Sequence, residues 1–212
     1  MRGKPRVEEI VFQGDEMPVR DIAKRILPGF FKSYIGRRKS KVSGARIESN
    51  RWIRLHGKDI RGRVLSIGSG NDGDRQGGSY RDYFPAASSY TTSEVSDEFG
   101  CDLTLDVRSM PEITSEVYDC IFCAGVMEHV DDYHAAFNEL TRILKVGGIL
   151  LLGLPFRQAI HWPPQDFWRF TEYGIRHLLK DLYEIVEVAK IDEKKGEDFP
   201  SAYWVKAKKV NA

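Results

Sequence analysis

From residue 63 onward, apolar positions fall into short blocks separated by turns or by helical stripes. Val64-Leu65-Ser66-Ile67 reads as a buried strand ended by Gly68 and Gly70. Tyr90 to Val95 predicts a second strand, and Asp102 to Val107 a shorter third with Leu103 and Leu105 as its apolar pair. Tyr118 to Cys123 predicts a fourth, and Ile149-Leu150-Leu151-Leu152-Gly153-Leu154 the strongest of all. Near-continuous apolar runs require cover on both faces of the sheet, hence largely parallel pairing.

Between the fourth and fifth strands, Tyr133, Ala136, Phe137, Leu140, Ile143 and Leu144 form one stripe at three- and four-residue spacing, ended by Lys145 and Gly147-Gly148. A second helix follows Thr171, an N-cap, with Phe170 placed to staple against Ile175. Its inward face is Ile175, Leu178, Leu179 and Leu182. Glu184 to Ile191 and Ala202 to Val210 are two further strands, joined by the polar segment Asp192 to Pro200. Alternating sheet and helix predicts a doubly wound α/β domain.

The first part of the chain lacks this alternation. Val19, Ile22, Ala23 and Ile26 predict one short amphipathic helix between Pro18 and Pro28-Gly29. Phe30, Phe31, Tyr34 and Ile35 then cluster beside Arg37-Arg38-Lys39 and Lys41. The division is a basic, partly helical extension over residues 1–61, packing on or capping the core, and a domain over 62–212.

Composition changes the picture mainly through charge. With 42% hydrophobic and 30% charged residues in 212, the chain suits a globular domain and excludes collagen, coiled coil and wholesale disorder. Lys and Arg nearly balance Asp and Glu, for a net +1, yet residues 1–63 hold 17 basic and 7 acidic side chains, a local excess of ten positive charges. That end can meet an anionic partner such as RNA or the acidic remainder of the chain. No apolar run reaches membrane-spanning length, and Met1-Arg2-Gly3-Lys4-Pro5-Arg6 leads into Glu8 and Glu9 rather than an apolar signal core, so a soluble cytoplasmic protein without a membrane span is expected. The three cysteines do not make a disulfide framework. Cys120 and Cys123 on one strand point to opposite faces, which excludes a shared ion or a redox dithiol, and no metal ligands are assigned.

In an open parallel sheet, ligands bind at strand carboxyl ends, so the loops there carry the chemistry. Gly68 and Gly70 allow a tight turn and a close approach to backbone; an ordinary turn would use them equally well. Glu94 ends the second strand and can accept from the hydroxyls of a ribose, with Asp97 and Glu98 as rivals. Asp106 can accept from an adenine amino group, or cap the segment after it. Ala124 and Gly125 leave room for a ligand, while Glu128 and His129 put a charged and a titratable group at the rim. His129 serves as a general base or as a structural cap. The loop from His161 to Thr171 crowds His161, Asp166 and Arg169 among Trp162, Phe167, Trp168 and Phe170. That bulk exceeds what a connector needs and predicts a lid or substrate wall; a self-packed loop with Asp166 paired to Arg169 is the alternative.

Taken in order, Val64 to Gly70, Glu94, Asp106, Tyr118 to Val130 and Glu139-Leu140-Thr141-Arg142-Ile143-Leu144-Lys145-Val146-Gly147-Gly148 resemble the class I S-adenosylmethionine-dependent methyltransferases of the type 11-like kind. The resemblance covers residues 62 to 210. It implies a seven-stranded, mostly parallel sheet with the last strand antiparallel, and S-adenosyl-L-methionine as cofactor. By similarity, Gly68, Ser69 and Gly70 border the methionine part, Glu94 the ribose, Asp106 and Val107 the adenine, and Ala124 and Gly125 the sulfonium. Ser66 departs from the acidic residue usual at its position, Asp72 replaces a third glycine, and Asp72–Ser88 and Ser96–Gly100 are too short for the usual full helices.

The implied activity is methyl transfer to an oxygen or nitrogen of a small polar metabolite or sugar. His129, His161, Asp166 and Arg169 are the expected catalytic set, with Trp168 beside them and Arg169 available to an anionic acceptor. The alternatives are an RNA or protein methyltransferase using the basic front end, or a non-catalytic member of the fold.

Overall fold

A computed structural model describes residues 42–192 and 198–211. The helix expected near Val19 and the aromatic cluster at Phe30 lie outside the described residues. Seven strands, β1 (Gly62–Ile67), β2 (Ala87–Glu94), β3 (Leu103–Thr104), β4 (Tyr118–Ala124), β5 (Leu144–Pro155), β6 (Tyr183–Ile191) and β7 (Ala202–Lys209), form one sheet in the order β3-β2-β1-β4-β5-β7-β6. Neighbours pair in parallel from β3 to β5, and β7 runs antiparallel to both β5 and β6. The doubly wound, seven-stranded expectation is borne out. Strand order reverses between β1 and β4, where Ile67 lies beside Cys123.

The period-two alternation of buried strands sorts the core into two layers. On one face Leu65, Ile67, Ile121, Cys123, Leu150 and Leu152 pack with α2 (Tyr133–Ile143) and α3 (Glu172–Leu179). On the other, Val64, Cys120, Phe122, Leu151 and Trp204 pack with Tyr83, Phe84 and with Trp52 and Ile53 of α1 (Gly44–Gly57). Cys120 and Cys123 therefore face opposite sides, as expected, and complete burial pushes both thiols well above their ordinary pKa.

Helix α2 buries Ala136, Phe137, Leu140 and Ile143, with Asp132 capping the Ala135 N–H. It stops one residue short of the predicted stripe, because Leu144 is already extended and pairs with Tyr118 in β5. Thr171 caps α3 through the Gly174 N–H, and Phe170 and Ile175 share one core, as predicted. Leu178 and Leu182 are only half-buried there.

Two elements differ from the sequence reading. The third strand is just Leu103–Thr104, because Asp102 turns its carboxylate onto the Thr92 N–H and hydroxyl, and Asp106 closes an isolated bridge with Ser109. Helix α1 carried no predicted element. Ser43 caps it, and burial of Trp52 and Ile53 contributes about 2 kcal/mol each. Only short 3-10 turns, Tyr80–Tyr83 and Asp97–Phe99, follow β1 and β2, as their limited length required. Among the described residues no helix is long and apolar enough to cross a membrane.

Candidate functional site

The turn after β1 takes left-handed backbone at Gly68 (φ 65°) and Gly70 (φ 53°), a region costly for residues with a Cβ. A Cβ at Gly68 would collide with Val126 of the β4 loop, whereas Gly70 faces open space. A hydroxyl network fixes the turn: Ser69 donates to the Ser66 carbonyl (3.0 Å) and hydroxyl (2.8 Å), and Ser93 donates to the same carbonyl (2.9 Å). Ser66 is thus a buried loop anchor. Asp72 accepts from the Ser79 and Tyr90 hydroxyls and the Arg81 N–H, which commits it to the loop.

Glu94 closes on this turn. Its Oε1 accepts the Gly70 N–H at 2.9 Å and its Oε2 the Val95 N–H at 3.1 Å. Each carboxylate oxygen has two lone-pair sites, so one backbone bond on each leaves acceptor capacity for a pair of hydroxyls. Open space at Gly70 and spare capacity at Glu94 fit the ribose end of an adenosyl group. Asp106 is different. Arg108 grips it in a bidentate pair at 2.7–3.1 Å and also reaches Asp131 at 2.8 Å, so Arg108 holds it well below the usual carboxylate range. This bridge ties the end of β3 to the β4 loop; Val107 beside it is buried.

The β4 loop carries the most charged geometry of the crevice. Gly125 has φ 68°, and a side chain there would lie 3.5 Å from Glu128 Oε1. The sequence puts Glu128 at a rim; in the fold it is only 1% exposed, a correction with a clear cause. The later loop closes over it, Phe167 and Trp168 donating their N–H groups to the Glu128 carbonyl at 2.7 and 3.3 Å. Burial pushes the Glu128 carboxyl up from its ordinary pKa, and its Oε2 has no hydrogen-bond partner among the described residues.

Two imidazoles converge on this carboxyl. His129 Nε2 and His161 Nε2 each lie 3.8 Å from Glu128 Oε1, and the rings meet edge to face at 4.8 Å. The opposite nitrogens are anchored: His129 Nδ1 on the Gln165 carbonyl, His161 Nδ1 3.3 Å from both Asp166 Oδ2 and the Ala159 carbonyl. Acceptors at Nδ1 place the proton there and leave the Nε2 lone pairs facing Glu128. Asp166 also accepts the His161 N–H at 2.8 Å and two Arg169 bonds at 2.6 and 2.8 Å; with Arg169 foremost, these hold it far below the ordinary range. Arg169 further donates to the Trp168 carbonyl, so it is not the free anion-binding group expected from sequence. The self-paired alternative is the one seen: Asp166 pairs with Arg169 and also holds the His161 N–H. Trp168 is held by its indole N–H on the Val130 carbonyl at 2.8 Å and by edge contact with Tyr133.

The expected residues therefore form two groups. Gly68, Ser69, Gly70 and Glu94 meet at one side of the crevice and Ala124, Gly125, His129, His161, Asp166 and Arg169 at the other, while Asp106 is turned onto Arg108. Sequence reasoning missed the burial of Glu128 and the anchoring role of Asp72; their neighbours in the chain carry no sign of either.

A family model described as a methyltransferase domain matches residues 82–152, the stretch that contains Glu94, Asp106 and the β4 loop. That stretch is about a third of the chain, and over it the chain is similar to methyltransferase domains. Solved structures of low identity share the methyltransferase fold. One is 1,6-didemethyltoxoflavin-N1-methyltransferase of Burkholderia thailandensis with bound S-adenosylhomocysteine (15% identity, TM-score 0.60, 94% of each chain). A second is the N-methyltransferase NodS of Bradyrhizobium japonicum with S-adenosylhomocysteine (15%, TM-score 0.61, 79% of this chain and 88% of that one). A third, the CurJ carbon methyltransferase, is matched over 75% of this chain but only 54% of its own length (16%, TM-score 0.56). No curated protein sequence matches this chain.

Proposed function

We propose that this protein is a methyltransferase that moves a methyl group from S-adenosylmethionine to an oxygen or nitrogen of a small polar metabolite or sugar, in the cytoplasm. The observation that carries this reading is the convergence of His129 and His161 on buried Glu128, 3.8 Å from each, beside Gly125 and under the 161–171 loop. The cofactor, when bound, supplies a methyl group already activated as a sulfonium, so the protein's work is alignment, exclusion of water and removal of a proton.

Each task has residues. Gly68, Gly70 and Glu94 offer backbone and carboxylate to the cofactor, and Ala124 and Gly125 keep the reacting end free of side chains. The 161–171 loop lies over Glu128, with the Phe167 and Trp168 N–H groups on its backbone carbonyl, while the two side chains themselves stay exposed. The His129–Glu128–His161 cluster receives the acceptor's proton on an imidazole Nε2, and the adjacent carboxylate stabilises the imidazolium as it forms. Asp166 and Arg169 hold His161 in orientation.

Incubation with methyl-labelled cofactor and pools of sugars, hydroxy acids and amines tests the reading. Label should enter a small molecule, and His161→Ala should cut the rate about 100-fold. A His161→Ala and Arg169→Ala double variant with full turnover would place the pocket elsewhere. An RNA acceptor is favoured only by the basic charge of residues 1–63; turnover falling steeply between low and moderate salt would select it.

A further inference from the structure

We infer that Glu128, His129 and His161 form a binding site for one divalent transition-metal ion, of the class that prefers mixed nitrogen and oxygen ligands, such as Zn²⁺. The inference deepens the reading of the same pocket and rests on it for any role in catalysis. The candidate donor atoms of the three residues all lie within 4.8 Å of one another. At 3.8 Å the two Nε2 atoms are too far from Glu128 Oε1 for hydrogen bonds. Bonds of about 2.0–2.1 Å around a tetrahedral ion put donors about 3.3 Å apart, a closure of about 0.5 Å for each histidine–glutamate pair and up to about 1.5 Å for the widest pair.

A second, independent observation points the same way. Glu128 is 1% exposed, yet its Oε2 has no partner among the described residues. Burying a carboxylate with few hydrogen bonds costs several kcal/mol; the Glu128 backbone N–H and the Arg169 guanidinium favour its charge, while Oε2 stays unpartnered among the described residues. A cation between the three resolves that frustration.

The surroundings are those of a metal ligand set. A ligating histidine ordinarily donates its other N–H to a backbone carbonyl or a carboxylate, which fixes the tautomer. His129 does this with the Gln165 carbonyl and His161 with Asp166, which Arg169 in turn clamps. Three protein ligands leave one position open for an acceptor oxygen, whose acidity the ion would raise; the bound ion would occupy the Nε2 lone pairs and so replace the histidines as the means of activating the acceptor, whose proton would pass to water. The ligands come from two loops far apart in sequence, so no spacing motif announces them, whereas the cysteines that sequence reasoning weighed lie on opposite faces of the sheet.

The test uses the full, untagged chain stripped with chelator and titrated by calorimetry with Zn²⁺, and with Co²⁺ for its visible absorption. One ion per chain is expected. His161→Ala and Glu128→Gln should each weaken binding about 100-fold, Asp166→Asn about tenfold, and His134→Ala, outside the cluster, not at all. Thermal unfolding in metal-free buffer confirms that each variant is folded. Absence of saturable binding, or equal affinity in wild type, His161→Ala and Glu128→Gln, overturns the site. S-adenosylhomocysteine titrated into the same stripped sample separates the two claims: its binding without metal binding removes the metal site and leaves methyl transfer standing, and metal binding without it does the reverse.

Discussion

Asp74 and Glu128 are both carboxylates in loops that leave adjacent strands of one sheet, with 2% and 1% of their surface exposed. Asp74 receives hydrogen bonds from the Gln76 and Gly78 N–H groups and the Tyr83 hydroxyl at 2.7–2.9 Å. Burial alone would raise its pKa, but the bonds from Tyr83, Gly78 and Gln76 outweigh it and hold the group below its ordinary value. Glu128 is equally buried, keeps one oxygen unpartnered, and burial pushes its pKa up. A carboxylate the fold needs is satisfied by the fold; one left unsatisfied in a cleft between two histidines is held for something else.

Replacing each carboxylate should therefore have opposite consequences. The largest effect is expected at Asp74→Ala, which strands two N–H groups and a buried hydroxyl and should cost about 3 kcal/mol in urea unfolding at pH 7. Because the folded pKa lies below the unfolded value near 3.9, the contribution of Asp74 is complete above that value and lost as pH falls through the lower, folded one. The gap between wild type and variant should accordingly hold from pH 7 to about 4 and narrow below it. A gap of constant size down to pH 2 would refute the assignment.

Glu128→Gln should cut turnover about 100-fold while leaving the metal-free protein as stable as wild type or about 1 kcal/mol more so at pH 8, since a buried unpaired charge is removed. A loss of stability as large as that of Asp74→Ala would erase the distinction. Asp166→Asn comes next: it weakens the grip of Arg169 and the anchor at His161 Nδ1. Turnover should fall about tenfold with KM nearly unchanged, and a rise in KM alone would put the loop in substrate binding instead of positioning.

How far the sequence reached follows the same division. Helix α2 and β5 were legible because their side chains pack against neighbours of the same kind, and a periodic apolar pattern records that directly. Helix α1 was not, because Ile47 and Leu55 stay exposed while Ser49 and Asn50 are buried. Those two polar residues are satisfied from distant places, Ser49 by the Trp204 indole N–H and Asn50 by the Asp74 carbonyl and Gln76, which no local window records. The strand-end positions of Glu94 and Ala124, and the place of His129 in the loop after β4, were readable from alternation and turns. The burial of Glu128 was not, since it depends on a loop closing from residues 161–171, and the pairing of Asp106 with Arg108 depends on the third strand stopping at Thr104.

The proposed seat of a nucleoside cofactor at the Gly68–Gly70 turn, with Glu94 as its sugar contact, is tested most directly by calorimetry of S-adenosylhomocysteine against wild type and Glu94→Ala. Saturable one-to-one binding, weakened about 30-fold (about 2 kcal/mol) by the substitution, is the predicted result. Absence of binding to the folded wild type at millimolar ligand, or equal affinity in the two proteins, would contradict it.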